Sequence, residues 1–110
     1  MKSRDVKVVW TAVAASDLER IAAFLAGESP VRAAAIIDRI VERAQSLASL
    51  PNRERTPPEL RSVGDRSWRE LQEAPWRTIY RRLDEVVQVH AVLDGRRNLE
   101  DILMERMLKS

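Results

Sequence analysis

Two stretches of helical periodicity follow each other in the first half of the chain, with only a few residues between them. The first repeats apolar residues every three or four positions, at Ala14, Leu18, Ile21, Ala22 and Leu25. The second continues the pattern over a longer span, at Ala33, Ile36, Ile37, Ile40, Ala44 and Leu47. Gly27 is suited to end the first helix, and Ser29-Pro30 to begin the second. So short a connection predicts an antiparallel helical hairpin with an apolar stripe on each helix.

Capping and helix-stopping residues mark the outer limits of this hairpin. Thr11 is a suitable N-cap for the first helix, and Leu50-Pro51 is suited to stop the second. Asp17, Glu19 and Arg20 lie off the apolar stripe of the first helix, so we expect them at the surface. Both stripes need a further surface to cover them.

Strands supply that surface. The β-branched and aromatic residues at 7–10 predict a short strand before the hairpin. Three more strands are predicted after it, at 67–72, 76–83 and 86–93. Their connections, Ala74-Pro75 and Asp84-Glu85, are short turns, so neighbouring strands should be antiparallel. The last strand is almost wholly apolar, which predicts a place at the centre of the sheet.

The remaining segments complete one domain over residues 1–110. The polar, arginine-rich stretch 52–65, which contains Pro57-Pro58 and Gly64, predicts a loop. Asn98 is suited to cap a final helix whose apolar residues are Leu99, Ile102, Leu103 and Met107. The order strand, helical hairpin, three-stranded meander and helix predicts an α+β fold with a single twisted sheet.

Composition excludes several kinds of chemistry. The chain has no cysteine and one histidine, His90, so we expect no disulfide, no metal site and no cofactor. His90 lies in an apolar strand, where a packed structural role is favoured over a catalytic one. We also expect a cytoplasmic protein without a signal peptide or membrane span. Nearly all the cations are arginine, which reflects either a GC-rich genome or an acidic or nucleic-acid partner.

Four short patterns, in this order, resemble the ParE/RelE toxins, the poison halves of bacterial type II toxin–antitoxin systems. The first runs from Trp10 to Ile21 and contains Asp17-Leu18-x-x-Ile21. The second pattern is the alanine-rich second helix, which ends in residues 47–51. The third is Trp68-Arg69-Glu70-Leu71 followed by the strand 76–81, and the fourth is 89–99, a strand leading into a basic turn. Each pattern is degenerate alone, but together they span nearly the whole chain.

The resemblance implies a growth-inhibiting toxin, associated with plasmid stabilisation, that forms a hetero-oligomer with a cognate antitoxin. In this family the C-terminal segment of the antitoxin wraps the toxin and fills an apolar groove. The residues expected to contact it are apolar: Leu18, Ile21, Leu25, Ile36, Ile37, Ile40 and Trp76. An isolated chain with such a groove should expose an apolar patch.

The family divides by target. RelE-like members cut mRNA on the ribosome with a cluster of cations and often a tyrosine, whereas ParE members bind and poison DNA gyrase without covalent chemistry. Here Arg77 matches a nuclease arginine, but Trp68 and Glu70 occupy the positions of catalytic lysines. The final helix also lacks a tyrosine. The ParE-like activity is therefore favoured. The alternatives are an mRNA interferase that uses Arg77, Arg81 and Glu70, or an inert member that only binds its antitoxin.

Arginines are the candidate target contacts. Arg96 and Arg97 form the basic turn after the last strand, where the family meets its target, although Asp94 replaces a histidine found in many ParE members. Arg77 and Arg81 share one face of the middle strand, with Ile79 and Leu83. They either contact the target or an acidic antitoxin segment, or pair with Glu70 or Glu73 on the neighbouring strand.

Two tryptophans have two possible roles. Trp68 and Trp76 either stack on bases or anchor the antitoxin, or else they pack in the core of the sheet. The core role is favoured, because tryptophans in strands more often belong to the packed face of the sheet.

Overall fold

A computed structural model describes residues 6–49 and 68–95 of the chain. Its elements, in chain order, are β1 (Lys7–Trp10), α1 (Ala12–Ala26), α2 (Pro30–Gln45), a short 3₁₀ helix (Ser46–Ala48), β2 (Trp68–Glu73), β3 (Trp76–Leu83) and β4 (Val86–Asp94). The predicted loop 52–65, the basic turn with Arg96 and Arg97, and the predicted final helix lie outside the described residues.

The helical hairpin forms where the apolar stripes predict it, and its caps agree with the sequence. The Thr11 hydroxyl accepts a hydrogen bond from the backbone N–H of Ala14 at 3.1 Å. The Ser29 hydroxyl accepts one from the N–H of Arg32 at 3.3 Å, with Pro30 opening α2. Gly27 ends α1 with right-handed helical dihedrals. The N-cap side chains thus satisfy donors that the first turns leave open.

The sheet has the order β1-β4-β3-β2. β1 runs parallel to β4, while the pairs β2–β3 and β3–β4 are antiparallel. The prediction that β4 lies inside the sheet is confirmed, because it has β1 on one side and β3 on the other. β2 begins one residue later and ends one residue later than predicted, and β4 extends to Asp94.

A β-bulge interrupts the pairing of β3 with β4. Ile79 pairs with Ala91 and Tyr80 with Val89, so His90 is the extra residue on β4. Sequence alternation does not reveal this bulge, because every residue from 89 to 93 except His90 is apolar. The bulge shifts the alternation of side chains along β4 by one residue, so that Val89 packs with Tyr80 on one face and Ala91 with Ile79 on the other.

Both faces of the sheet are packed. On the helical face, Tyr80, Val87 and Val89 join Ala14 of α1 and Ala44 of α2. Ile21, Ile40 and Val92 extend this layer toward the end of β4. The opposite face, called the distal face, carries a separate cluster of Trp68, Ile79, Ala91 and Leu93. These neighbours agree with the predicted alternation of side chains along β3.

The turn between β3 and β4 offers a test of backbone strain. Asp84 has φ of 56°, the only positive φ of a non-glycine residue in the described part of the chain. Glycine adopts such a φ without a steric penalty. Asp84→Gly is therefore expected to raise the free energy of unfolding by about 0.5–1 kcal/mol. Urea unfolding of the two proteins measures this difference, and a lower midpoint for the glycine variant would contradict it.

Candidate functional site

β1 covers only the first half of β4. The last pair joins Trp10 to Val89, and the chain then leaves the sheet to enter α1. Beyond that pair, no strand of the described residues lies beside β4 on this side. The end of β4 therefore presents an uncovered edge toward α1.

A cavity of about 480 Å³, called the edge groove, opens beside this uncovered strand. Its apolar wall is made by Ile21, Leu25, Ile36, Trp76 and Val92. Arg20, Arg32 and Asp94 supply charges around it, and Phe24 lies at its border with 68% of its surface exposed. The lining of the groove thus combines apolar and charged side chains, as protein-binding surfaces do.

Asp17 connects the helix to the uncovered edge. One carboxylate oxygen accepts the backbone N–H of Val92 at 3.0 Å, and the other pairs with Arg20 at 2.7 Å. Asp17 is only 2% exposed, so the prediction that it lies at the surface of α1 is wrong. It lies three residues after Ala14 and four before Ile21, on the same helical face as both. A side-chain acceptor there replaces the missing strand.

A second cavity, the hairpin groove, lies on another side of α1. It has a volume of about 410 Å³ and is lined by Trp10, Ala15, Leu18, Glu19, Ala22, Ile37 and Val41. Nearly all of these side chains are apolar. The hairpin groove and the edge groove share no lining residue.

The distal face contains a buried ion pair between neighbouring strands. Arg77 donates from Nε to a carboxylate oxygen of Glu70 at 2.8 Å, and a second guanidinium nitrogen contacts the same oxygen. Glu70 is 1% exposed and Arg77 8%. Gln72 donates to the other oxygen of Glu70 at 3.3 Å. From the sequence, Arg77 is expected either to contact the target or to pair with a glutamate on the neighbouring strand. The structure shows the pairing, with Glu70.

Arg81 and His90 surround Trp68 on the same face. The guanidinium carbon of Arg81 lies 5.2 Å from the centre of the Trp68 ring. The His90 ring meets that of Trp68 edge-on, with centres 4.8 Å apart. Trp68 itself is buried, so its ring packs in the distal cluster and is not presented for base stacking.

The end of β4 passes very close to the β2–β3 turn. The backbone N–H of Gly95 donates to the carbonyl oxygen of Pro75 at 2.6 Å. A Cβ atom on Gly95 would lie 2.8 Å from that oxygen and 3.3 Å from Cδ of Arg77. Only glycine fits this approach without movement of its neighbours. Sequence reasoning gave no reason for a glycine at this position beyond a turn.

A comparison with known families assigns the chain. The profile described as "ParE toxin of type II toxin-antitoxin system, parDE" matches residues 8–99. The chain belongs to the ParE toxin family. The resemblance read from the sequence is therefore confirmed at the level of the family. No curated protein sequence matches the toxin at a significant level.

Solved structures share the fold of the toxin. One is a chain of the "Chromosomal ParDE TA system from P. aeruginosa", with 22% identity and a TM-score of 0.67. That match covers 84% of this toxin and 98% of the other chain. Another comes from the RelBE2 toxin–antitoxin complex of Mycobacterium tuberculosis, with 23% identity, a TM-score of 0.58 and coverage of 82% and 98%. Both confirm the predicted α+β architecture of the described elements.

The predicted antitoxin contacts of the toxin belong to one apolar cluster but do not line one groove. Ile21, Leu25, Ile36 and Trp76 line the edge groove. Leu18 and Ile37 line the hairpin groove instead. Ile40, which is 1% exposed, lies in the core and packs with Ile21 of α1 and Val92 of β4. A helical stripe predicts which side chains avoid water, but not on which side of the helix a partner binds.

Two classes of feature are absent from the described part of the toxin. Within residues 6–49 and 68–95, no three acidic, histidine or cysteine side chains are grouped so as to hold a metal ion. Neither helix in those ranges is long and apolar enough to cross a membrane.

Proposed function

We propose that this toxin inhibits growth by binding DNA gyrase and stabilising its cleaved complex with DNA, and that a cognate antitoxin neutralises it. The buried Glu70–Arg77 ion pair is the observation that carries the choice of target. A nuclease of this fold needs cations free to approach the scissile phosphate. Here the guanidinium of Arg77 is already bonded to a carboxylate and shielded from solvent.

A phosphate would have to displace Glu70 to reach Arg77. That displacement would break a buried ion pair, which is unfavourable. Trp68 and Glu70 occupy the positions where the resemblance places catalytic lysines. Trp68 is buried and uncharged. Both features argue against RNA cleavage and favour action through contact with a protein target.

The two grooves support the antitoxin part of the proposal. The edge groove combines an apolar wall with an uncovered strand edge, and the hairpin groove is apolar along one side of α1. A segment that folds on binding gains from both features, since apolar side chains fill the grooves and main-chain groups meet the edge. We infer a hetero-oligomer in which the antitoxin contacts Leu25, Ile36 and Trp76.

Induced expression without antitoxin tests the target. The expected result is an SOS response with intact mRNA, together with accumulation of cleaved plasmid DNA when purified toxin is added to gyrase. Codon-positioned mRNA cleavage without gyrase-dependent DNA breaks would identify an interferase instead. Full growth at confirmed expression would identify an inert family member.

A pair of variants separates the two proposed surfaces. R96A/R97A is expected to weaken growth inhibition and gyrase poisoning roughly tenfold or more, while antitoxin affinity changes by less than about threefold. Phe24→Asp, at the exposed border of the edge groove, is expected to do the reverse. Growth assays and titration calorimetry with the antitoxin measure both effects. Loss of both functions in either variant would show that the surfaces are assigned wrongly.

A further inference from the structure

Four arginines lie at the edge groove and along the helix beside it. Arg20 of α1 and Arg32 of α2 line the groove itself. Arg39 and Arg43 follow Arg32 on the same face of α2, at positions that repeat with the helical period. Their Nε atoms lie 3.2 and 3.7 Å from the carboxylate oxygens of Glu73, at the end of β2. A row of cations therefore runs from the groove along α2.

Three of these cations already have a carboxylate partner within the toxin. Arg20 pairs with Asp17 at 2.7 Å, and the two later arginines of α2 share one glutamate. The side chain of Arg32 makes no ion pair with any residue in the ranges 6–49 and 68–95, and it is exposed. Glu28 lines a smaller cavity together with Arg32 but does not pair with it. Arg32 is thus the cation of the row that is open to a partner.

Apolar side chains surround Arg32 where it meets the groove. Leu25 and Ile36 line both the edge groove and the smaller cavity, as Arg32 does. Ile36 follows Arg32 by one helical turn, so the two side chains are neighbours on the surface of α2. A partner side chain that packs against Leu25 and Ile36 therefore brings the residues next to it in sequence within reach of the guanidinium. A carboxylate at that place would form a charge-assisted hydrogen bond beside an apolar contact that limits screening by water.

We propose that Arg32 selects the antitoxin by binding an acidic residue that stands beside an apolar anchor in the antitoxin segment. The anchor fills the edge groove, and the carboxylate pairs with the guanidinium of Arg32. This inference rests on the antitoxin part of the proposed function and adds the chemistry by which the partner is recognised. A nucleic acid fits the groove less well, because Asp17 and Asp94 also line it and would repel a chain of phosphates.

Peptide display on the immobilised toxin tests the inference with random peptides as the probe. The baits are the parent, Arg32→Gln, Arg32→Glu and the control Arg82→Gln. Arg82 is likewise an exposed arginine, but it lines neither groove. The parent and the control should enrich peptides in which Asp or Glu stands next to large apolar residues. Arg32→Gln should keep the apolar enrichment and lose the acidic one, whereas Arg32→Glu should enrich Lys or Arg instead.

A pair of synthetic peptides measures the contact directly. One is an acidic peptide enriched by the parent, and the other carries Gln or Asn in place of its Glu or Asp. The amide peptide should bind the parent roughly fivefold more weakly, at the upper end for a partly exposed ion pair. The two peptides should bind Arg32→Gln within about twofold of each other, because the interaction is already removed. Fluorescence anisotropy gives the affinities, and the thermal midpoint of each variant should match that of the parent.

Contrary outcomes separate this inference from the proposed function. Apolar enrichment without acidic residues in the parent would overturn the inference alone, since the groove would still bind a peptide. Acidic enrichment that persists in folded Arg32→Gln would also overturn it, because the carboxylate would bind elsewhere. No enrichment of any peptide by the parent would count against both the inference and antitoxin binding in this groove. Binding of a labelled single-stranded oligonucleotide that depends on Arg32, without binding of the acidic peptide, would assign the arginine to a nucleic acid.

Discussion

Arg77→Met alone is expected to lower the free energy of unfolding by about 3–5 kcal/mol, because it removes one partner of a buried ion pair, the guanidinium bonded to Glu70. Glu70 is 1% exposed, so water cannot replace the lost donors. The N–H groups of Arg77 reach one carboxylate oxygen in the parent, and the amide of Gln72 reaches the other at 3.3 Å. Removing the guanidinium takes away the charged donors of this pair.

Replacing both partners is expected to cost far less. E70L/R77M should fall within about 1 kcal/mol of the parent, because two apolar side chains of similar volume need no charge compensation. Urea unfolding of the parent, both single variants and the double variant gives the coupling energy directly. Glu73→Gln is the matched control. Glu73 also pairs with arginines, Arg39 at 3.2 Å and Arg43 at 3.7 Å, but it lies nearer the surface.

The ion pairs of the control residue Glu73 should contribute less than about 1 kcal/mol to the free energy of unfolding, as partly exposed ion pairs usually do. Two results would contradict the argument. One is a small effect of Arg77→Met, which would mean that Glu70 finds another cation or water. The other is a double variant as unstable as the single variants, which would mean that the pair stabilises the fold beyond satisfying its own charges.

Local patterns predicted most of the described fold. The helical hairpin follows from two stripes of apolar residues and from caps at Thr11 and Ser29, where each side chain needs only its own helix. The strand β3 and the turn at Asp84-Glu85 are equally local. The central place of β4 follows from its apolar composition, since only a strand covered on both faces tolerates so few polar residues.

Features that depend on distant contacts were not predictable. Asp17 looks like a surface residue until β1 is seen to end at Trp10 and leave the N–H of Val92 without a strand partner. Gly95 looks like a turn glycine until Pro75 is found against it. The division of one apolar stripe into two grooves requires the position of the sheet. In each case the deciding neighbour is remote in sequence, so no periodicity within one segment reports it.

Asp17→Leu is expected to destabilise the toxin by about 2–3 kcal/mol, because it leaves the buried N–H of Val92 without an acceptor. The leucine also removes the ion pair between Asp17 and Arg20. Because Arg20 is mostly exposed, the loss of that pair has little effect on stability. Asp17→Asn keeps one oxygen able to accept from Val92 at the same position. Its cost should therefore be less than half that of the leucine variant.

Amide hydrogen exchange gives a readout specific to this bond. The N–H of Val92 should be protected in the parent and in Asp17→Asn, but should exchange much faster in Asp17→Leu, since local opening no longer has to break a hydrogen bond. Glu19→Gln, on the exposed side of α1, controls for the change of helix charge. Equal protection of Val92 in all variants would show that the carboxylate does not cap the strand edge. Selective loss at Val92 would show that α1 replaces the strand missing beside β4, and would explain why an aspartate lies on the apolar side of this helix.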